Sequence, residues 1–179
     1  MVMQMLAAGG VPVITDRVRA ADYDNPHGYY EFEPVKQLTK ESSWLDTASG
    51  KAVKIIYRLL YDLPDKYCYK VIFMRRKLEE IIASQKAMLI RLNKQGAALD
   101  ENRLAHAFHN DLQKLTRWIG QQVNFKVIYV DYDEVLYASR STVSTIEQFL
   151  GWPLDRNAMI EAIDRSLHRQ KSAAARTDH

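Results

Sequence analysis

Apolar and polar positions follow two distinct periods along this chain. Four short runs rich in β-branched and aromatic residues, at 11–15, 51–57, 69–74 and 125–130, predict strands. The last three mix apolar positions without clean alternation, the pattern of a strand covered on both faces. Between the runs the period becomes that of a helix. Residues 78–92 set Leu78, Ile81, Ile82, Gln85, Met88, Leu89 and Leu92 on one stripe, and 100–121 do the same with Leu104, Phe108, Leu112, Leu115 and Ile119. Shorter amphipathic helices are predicted at 141–150, closed by Gly151 and Pro153, and at 157–167. Residues 1–10 lack the basic start of a signal peptide and read as the last turns of a helix capped by Gly9 and Gly10. Strands alternating with helices imply an α/β fold with a mainly parallel sheet, flanking helices and right-handed crossovers. One domain over 1–169 and a polar tail over 170–179 account for the 179 residues.

Candidate chemistry concentrates after the third run. A strand there delivers Arg75 and Arg76 at its carboxyl end, and a helix begins at once. Ligands of open parallel sheets bind at the carboxyl ends of strands, and a helix start adds backbone N–H donors and positive potential. Arg76 brings a planar fork suited to phosphate, and Ser84, two turns into the helix, sets its hydroxyl on the polar face. Arginine, helix start and serine are therefore candidates to hold one phosphate group. The competing reading is structural: the arginines pair with Glu79 and Glu80, and Ser84 is an ordinary helical serine.

The segment 22–34 differs in character. Asn25, Pro26 and Gly28 signal turns, and tyrosines and Phe32 crowd among carboxylates. A loop this aromatic is expected to pack over something, as an anchored surface loop or as a lid facing a substrate. His106 and His109, spaced i and i+3 on a helix, have no third ligand nearby and read as solvated. Asp131, Asp133 and Glu134 follow the last run and suit either Mg²⁺ or capping of a further helix, and no metal is expected.

Composition narrows the classes further. An apolar fraction of 47% excludes disorder, and 7 Gly with 5 Pro exclude a collagen-like chain. No window approaches the ~18 apolar residues of a membrane span. The single cysteine, Cys68, excludes an internal disulfide framework and a cysteine-based zinc site, so a reducing, cytoplasmic compartment is the default. A net charge of +3, from 25 basic and 22 acidic side chains, is too balanced for a nucleic-acid footprint. A pI near 8.9 suits a small anionic ligand. The chain contains no G-x-G-x-x-G, G-x-S-x-G, H-E-x-x-H or G-x-x-x-x-G-K-[ST] motif.

In order along the chain stand Met3-Gln-Met-Leu-Ala-Ala-Gly-Gly-Val-Pro-Val13, Asp24-Asn-Pro-His-Gly-Tyr-Tyr-Glu-Phe-Glu33, the pair Arg76 and Ser84, Val130-Asp-Tyr-Asp-Glu-Val-Leu136 and Phe149-Leu-Gly-Trp-Pro-Leu154. This series resembles the bacterial P-loop sulfotransferases over roughly residues 1–169. The resemblance implies transfer of a sulfuryl group from 3′-phosphoadenosine 5′-phosphosulfate (PAPS) to a hydroxyl or amine of a small-molecule or glycan acceptor. Arg76 and Ser84 would hold the cofactor's 3′-phosphate, with Arg75 beside them. Glu31, by its place in the Asn-Pro-x-Gly-Tyr-x-Glu pattern, would be the base toward the acceptor, with His27 the second choice. The loop 22–34 and residues 93–100 would face the acceptor.

The resemblance also implies a nucleotide-kinase-like sheet of order 2-3-1-4-5, in which the four runs are strands 2, 3, 4 and 5. The family's strand 1 and its Gly-x-Pro-Arg-Ser-Gly-Thr-Ser loop, which wraps the 5′-phosphosulfate, have no counterpart. The chain opens inside the helix expected to follow that loop. Charge-assisted hydrogen bonds contribute roughly 1.5–3 kcal/mol each, so losing two weakens cofactor binding by on the order of 10²–10⁴. The chain as it stands is expected to be a poor catalyst, a shortened form of an active sulfotransferase. The alternatives are an inactive homologue with a binding role and a P-loop kinase relative.

Overall fold

A computed structural model describes residues 1–16, 18–23, 25–91 and 101–168. Asp24, Leu92, the candidate segment 93–100, the first residue of the second long helix and the tail 170–179 lie outside the described residues. The chain is mixed α/β. Strands β1 (Val13–Ile14) and β2 (Ala52–Val53) form one parallel pair. Strands β3 (Tyr69–Arg75) and β4 (Phe125–Asp131) form a second, in continuous register from Tyr69↔Phe125 to Arg75↔Asp131. The pairs are separate two-stranded sheets, so among the described residues the expected parallel pairing is present as two ribbons with no ladder between them.

The third and fourth runs form strands almost where the sequence predicts them, and the first two shrink to two residues each. Local chemistry explains the shortening. Ala52 donates its N–H to the Pro12 carbonyl at 2.8 Å, opening the ladder. Directly after β1, the Thr15 hydroxyl and the Asp16 N–H both turn to the Glu31 carbonyl, at 3.0 and 3.2 Å. The chain thus leaves β2 to bind the 22–34 loop. Past β2, a 3₁₀ turn takes over at Tyr57–Asp62.

Both ribbons feed the same two apolar layers, because successive side chains of a strand point to opposite faces. On one side Ala52, Ile72, Met74, Ile128 and Val130 pack with the helical residues Met5, Val143, Ile146 and Met159. On the other, Val53, Val71, Phe73, Phe125 and Val127 pack with Leu115 and Ile119, with Val35 and Leu45 of two 3₁₀ turns, Glu33–Gln37 and Ser43–Thr47, and with Leu38, which follows the first.

The helices are α1 (Val2–Ala8), α2 (Leu78–Arg91), α3 (Glu101–Ile119), α4 (Tyr132–Tyr137), α5 (Ser139–Leu150) and α6 (Arg156–Glu161). Gly9 follows α1 with its α-carbon pressed against Met159; a methyl group there would meet Met159 Cγ at 2.6 Å. Gly151 ends α5 in the left-handed region at φ 78°, the conformation that glycine adopts without penalty. The predicted helix 157–167 is corrected to α6 and a separate 3₁₀ turn, Arg165–Leu167. Asp164 causes the break: its backbone is extended and its carboxylate caps the Ser166 N–H. Helix α4, directly after β4, lies outside the predicted helical periods. Among the described residues no helix is long and apolar enough to cross a membrane.

Candidate functional site

At the carboxyl end of β3 two adjacent arginines separate. Arg75 lies opposite Asp131 in the register and grips its carboxylate through Nε and Nη2, at 3.0 and 2.7 Å. Asp131 also precedes α4, and its carboxylate serves Arg75 instead of capping that helix. Arg75 is therefore an exposed cross-strand clasp. Arg76 takes the opposite course. It reaches back onto the first turn of α2, where Nε donates to Glu80 Oε2 at 3.0 Å, and its guanidinium lies 4.6 Å from the centre of the Tyr132 ring.

Among the described side chains of α2, Glu80 is the fully buried one, with 1% exposure. The same Oε2 lies 3.2 Å from Nε2 of His168, itself 4% exposed. His168 Nδ1 faces the Tyr137 hydroxyl at 3.4 Å, and the Tyr132 ring meets the imidazole edge-on at 5.3 Å. Arg76, Glu80, His168 and Tyr132 thus close a ring of charge and aromatic contacts. Burial raises the Tyr132 phenol above its ordinary range, against the opposing pull of Arg76. Helix α2 starts beneath this ring, the Lys77 carbonyl accepting the Glu80 and Ile81 N–H groups at 3.1 and 3.2 Å. Ser84, half-buried, stands one turn beyond Glu80 on the same face of the helix.

Glu80, Asp133 and His168 offer donor atoms within 4.8 Å of one another. Both carboxylates already carry a cation, Arg76 on Glu80 at 3.0 Å and Lys77 on Asp133 at 3.4 Å. That donor set is an ion-pair network, and a divalent ion entering it would have to displace these cations.

The 22–34 loop packs over the β1 end. Asp16 accepts the Glu33 and Val18 N–H groups, at 2.6 and 2.9 Å, and these bonds hold its carboxyl below the usual range. The Tyr29 hydroxyl binds Asp22, and Arg19 lies 3.3 Å above the Tyr29 ring. Tyr30 sits at φ 51°, a left-handed conformation costing a bulky residue roughly 1–3 kcal/mol. The Glu31 carboxylate lies between Arg19 and Lys54, at 3.4 and 3.5 Å. His27 Nε2 pairs with Asp164 Oδ2 at 2.9 Å. Hydrogen bonds from the Ser166 hydroxyl, and then from His27, hold the Asp164 carboxyl below its ordinary range.

Two candidate groups therefore meet through one short segment. Asp164 holds His27 of the loop, and four residues later His168 holds Glu80, the partner of Arg76. Glu80, Asp164 and His168 escaped the sequence reading as functional residues. Glu80 entered it only as a pairing partner, and its i,i+4 spacing from Arg76 was the available signal. Nothing local distinguishes His168, which lies just past the predicted helix. His106 and His109 are exposed, with His109 Nε2 2.8 Å from the Gln113 amide. Comparison with known proteins finds no matching family model, curated protein or solved structure.

Proposed function

We propose that this chain carries the 3′-phosphate half of a PAPS site and belongs to a sulfotransferase of P-loop type. The observation that carries the reading is the β3–α2 junction. An arginine at the carboxyl end of a parallel strand is fixed in place just before a helix, with Ser84 one turn beyond the Glu80 that holds it. A guanidinium fork, backbone N–H donors and a hydroxyl are the donor set a phosphate monoester requires. The two ribbons support the same reading. They share both apolar layers without a ladder between them, which is compatible with the outer strand pairs, 2-3 and 4-5, of an order 2-3-1-4-5.

On the acceptor side His27 is the better-placed base. Its imidazole is oriented by the Asp164 carboxylate, whereas Glu31 is engaged by two cations. A histidine held this way would take a proton from an acceptor hydroxyl as its oxygen displaces the 5′-phosphate oxygen of PAPS from sulfur, leaving adenosine 3′,5′-bisphosphate, a contribution of about 10²–10⁴-fold. A second reading, binding without sulfuryl transfer, draws on Arg75, whose fork is already committed to Asp131 by a bidentate grip.

The test is a titration followed by NMR. Adenosine 3′,5′-bisphosphate should bind weakly and perturb Arg76 and Ser84, adenosine 5′-phosphate should bind at least tenfold more weakly, and Arg76→Ala should abolish the difference. Equal affinity for the two nucleotides, or binding that depends on Mg²⁺ and ATP, would remove the assignment.

A further inference from the structure

We propose that the 164–168 turn is a strut that sets the Arg76 guanidinium, with Glu80 as the positioning residue through which it acts. Its functional meaning rests on the anion-site reading above; its geometry does not. A carboxylate with 1% exposure is tolerated only when it is paired, and here one oxygen receives both Arg76 Nε and His168 Nε2. Arg76 lies on the Tyr132 face while Nε is held by Glu80, and both contacts orient its fork. Displacing His168 would remove one of the two donors on that oxygen, and the guanidinium would follow the carboxylate.

The other end of the strut is equally fixed. Asp164 accepts the Ser166 N–H and hydroxyl, at 2.9 and 2.5 Å, and holds His27. Between the ends, the His168 N–H donates to the Arg165 carbonyl at 3.2 Å, and Arg165 Nε donates to the Leu136 carbonyl at 2.9 Å. The turn is thus bonded to itself and to α4. A displacement of His27 at the loop has a short, bonded route to Arg76, and occupancy of either half-site should change the affinity of the other.

The test reads the Arg76 Nε–H resonance in the ligand-free chain. Asp164→Ala should shift it although Asp164 makes no direct contact with Arg76. His168→Leu should shift it more, and Asp164→Ala should add nothing in the His168→Leu background. Glu80→Gln retains an acceptor for Nε and should keep the resonance near its native position, while Glu80→Leu should lose it. A purely structural role would lower the melting temperature without moving the signal. Should Asp164→Ala fail to fold, His168→Gln against His168→Leu makes the same comparison, because a glutamine amide can still donate to Glu80.

In a titration with adenosine 3′,5′-bisphosphate, Asp164→Ala should weaken binding about threefold to tenfold. An unmoved Arg76 resonance in Asp164→Ala, or additive effects of the two substitutions, would overturn the strut. A resonance that behaves as described in a chain that binds no nucleotide would leave the strut standing and remove the function proposed above.

Discussion

Helices α5 and α2 are both amphipathic, and they attach to the molecule by different means. Val143, Ile146 and Leu150 of α5 are buried in one apolar layer against Met5, Val130 and Met159. In α2 the buried side chain is Glu80; Leu78, Ile81, Ile82, Met88 and Leu89 are half-buried, and Ile90 is 69% exposed. No described residue of α2 belongs to either apolar layer. Among the described residues the first helix is anchored by area removed from water, and the second carries a directional ion-pair ring at its first turn. Apolar burial is non-directional and resists small shifts, whereas an ion-pair ring depends on ångström-scale geometry. The difference teaches where this fold keeps its stability and where it keeps adjustable charge. Functional elements are drawn from the less stable parts of a structure.

The comparison breaks first, if it breaks, under truncation of the two stripes. Ile146→Ala should cost about 2–5 kcal/mol in urea unfolding, and Ile81→Ala less than about 1 kcal/mol. Equal losses would mean that α2 is packed as firmly as α5. A smaller effect sharpens the apolar side. Gly9→Ala should destabilise by about 1–3 kcal/mol, since its methyl must displace Met159, and the cost should shrink in a Met159→Ala background. Calorimetry of the double-mutant cycle checks it.

The smallest expected effect concerns pH. Glu147 of α5 accepts from Arg156 and from the Leu154 N–H, and these bonds hold its carboxyl below the ordinary glutamate value. A depressed folded-state value contributes stability above the ordinary glutamate range, and that stability is lost as pH falls through the folded value. Glu147→Gln should therefore flatten the fall of the melting temperature between roughly pH 5 and pH 3. An unchanged acid slope would show that the Arg156 pair contributes nothing to folding.

Much of the fold is legible in the chain. The runs at 69–74 and 125–130 form β3 and β4 with one-residue extensions, and the helical stripes at 78–92, 100–121 and 141–150 form α2, α3 and α5. The α2 stripe is legible as a helix and misleading as a core, because period alone does not say which face meets the sheet. The helix 157–167 is broken at Asp164, whose side chain finds His27 across 137 residues of sequence. The candidate site was half legible. Arg76 and Ser84 announce themselves by position after a strand, while Asp164 and His168 have no local mark.

Two kinds of determination meet in this chain. Periodicity, turn residues and the arginine pair after the third run are properties of a few neighbouring residues, so strand, helix and the position of Arg76 follow from the amino-acid order. The partner each polar group finds is a long-range matter. Glu80 joins His168 across 88 residues and His27 joins Asp164 across 137, closures that no local preference encodes. Folding selects them because a buried carboxylate must find donors, and only the packed chain brings those donors within reach.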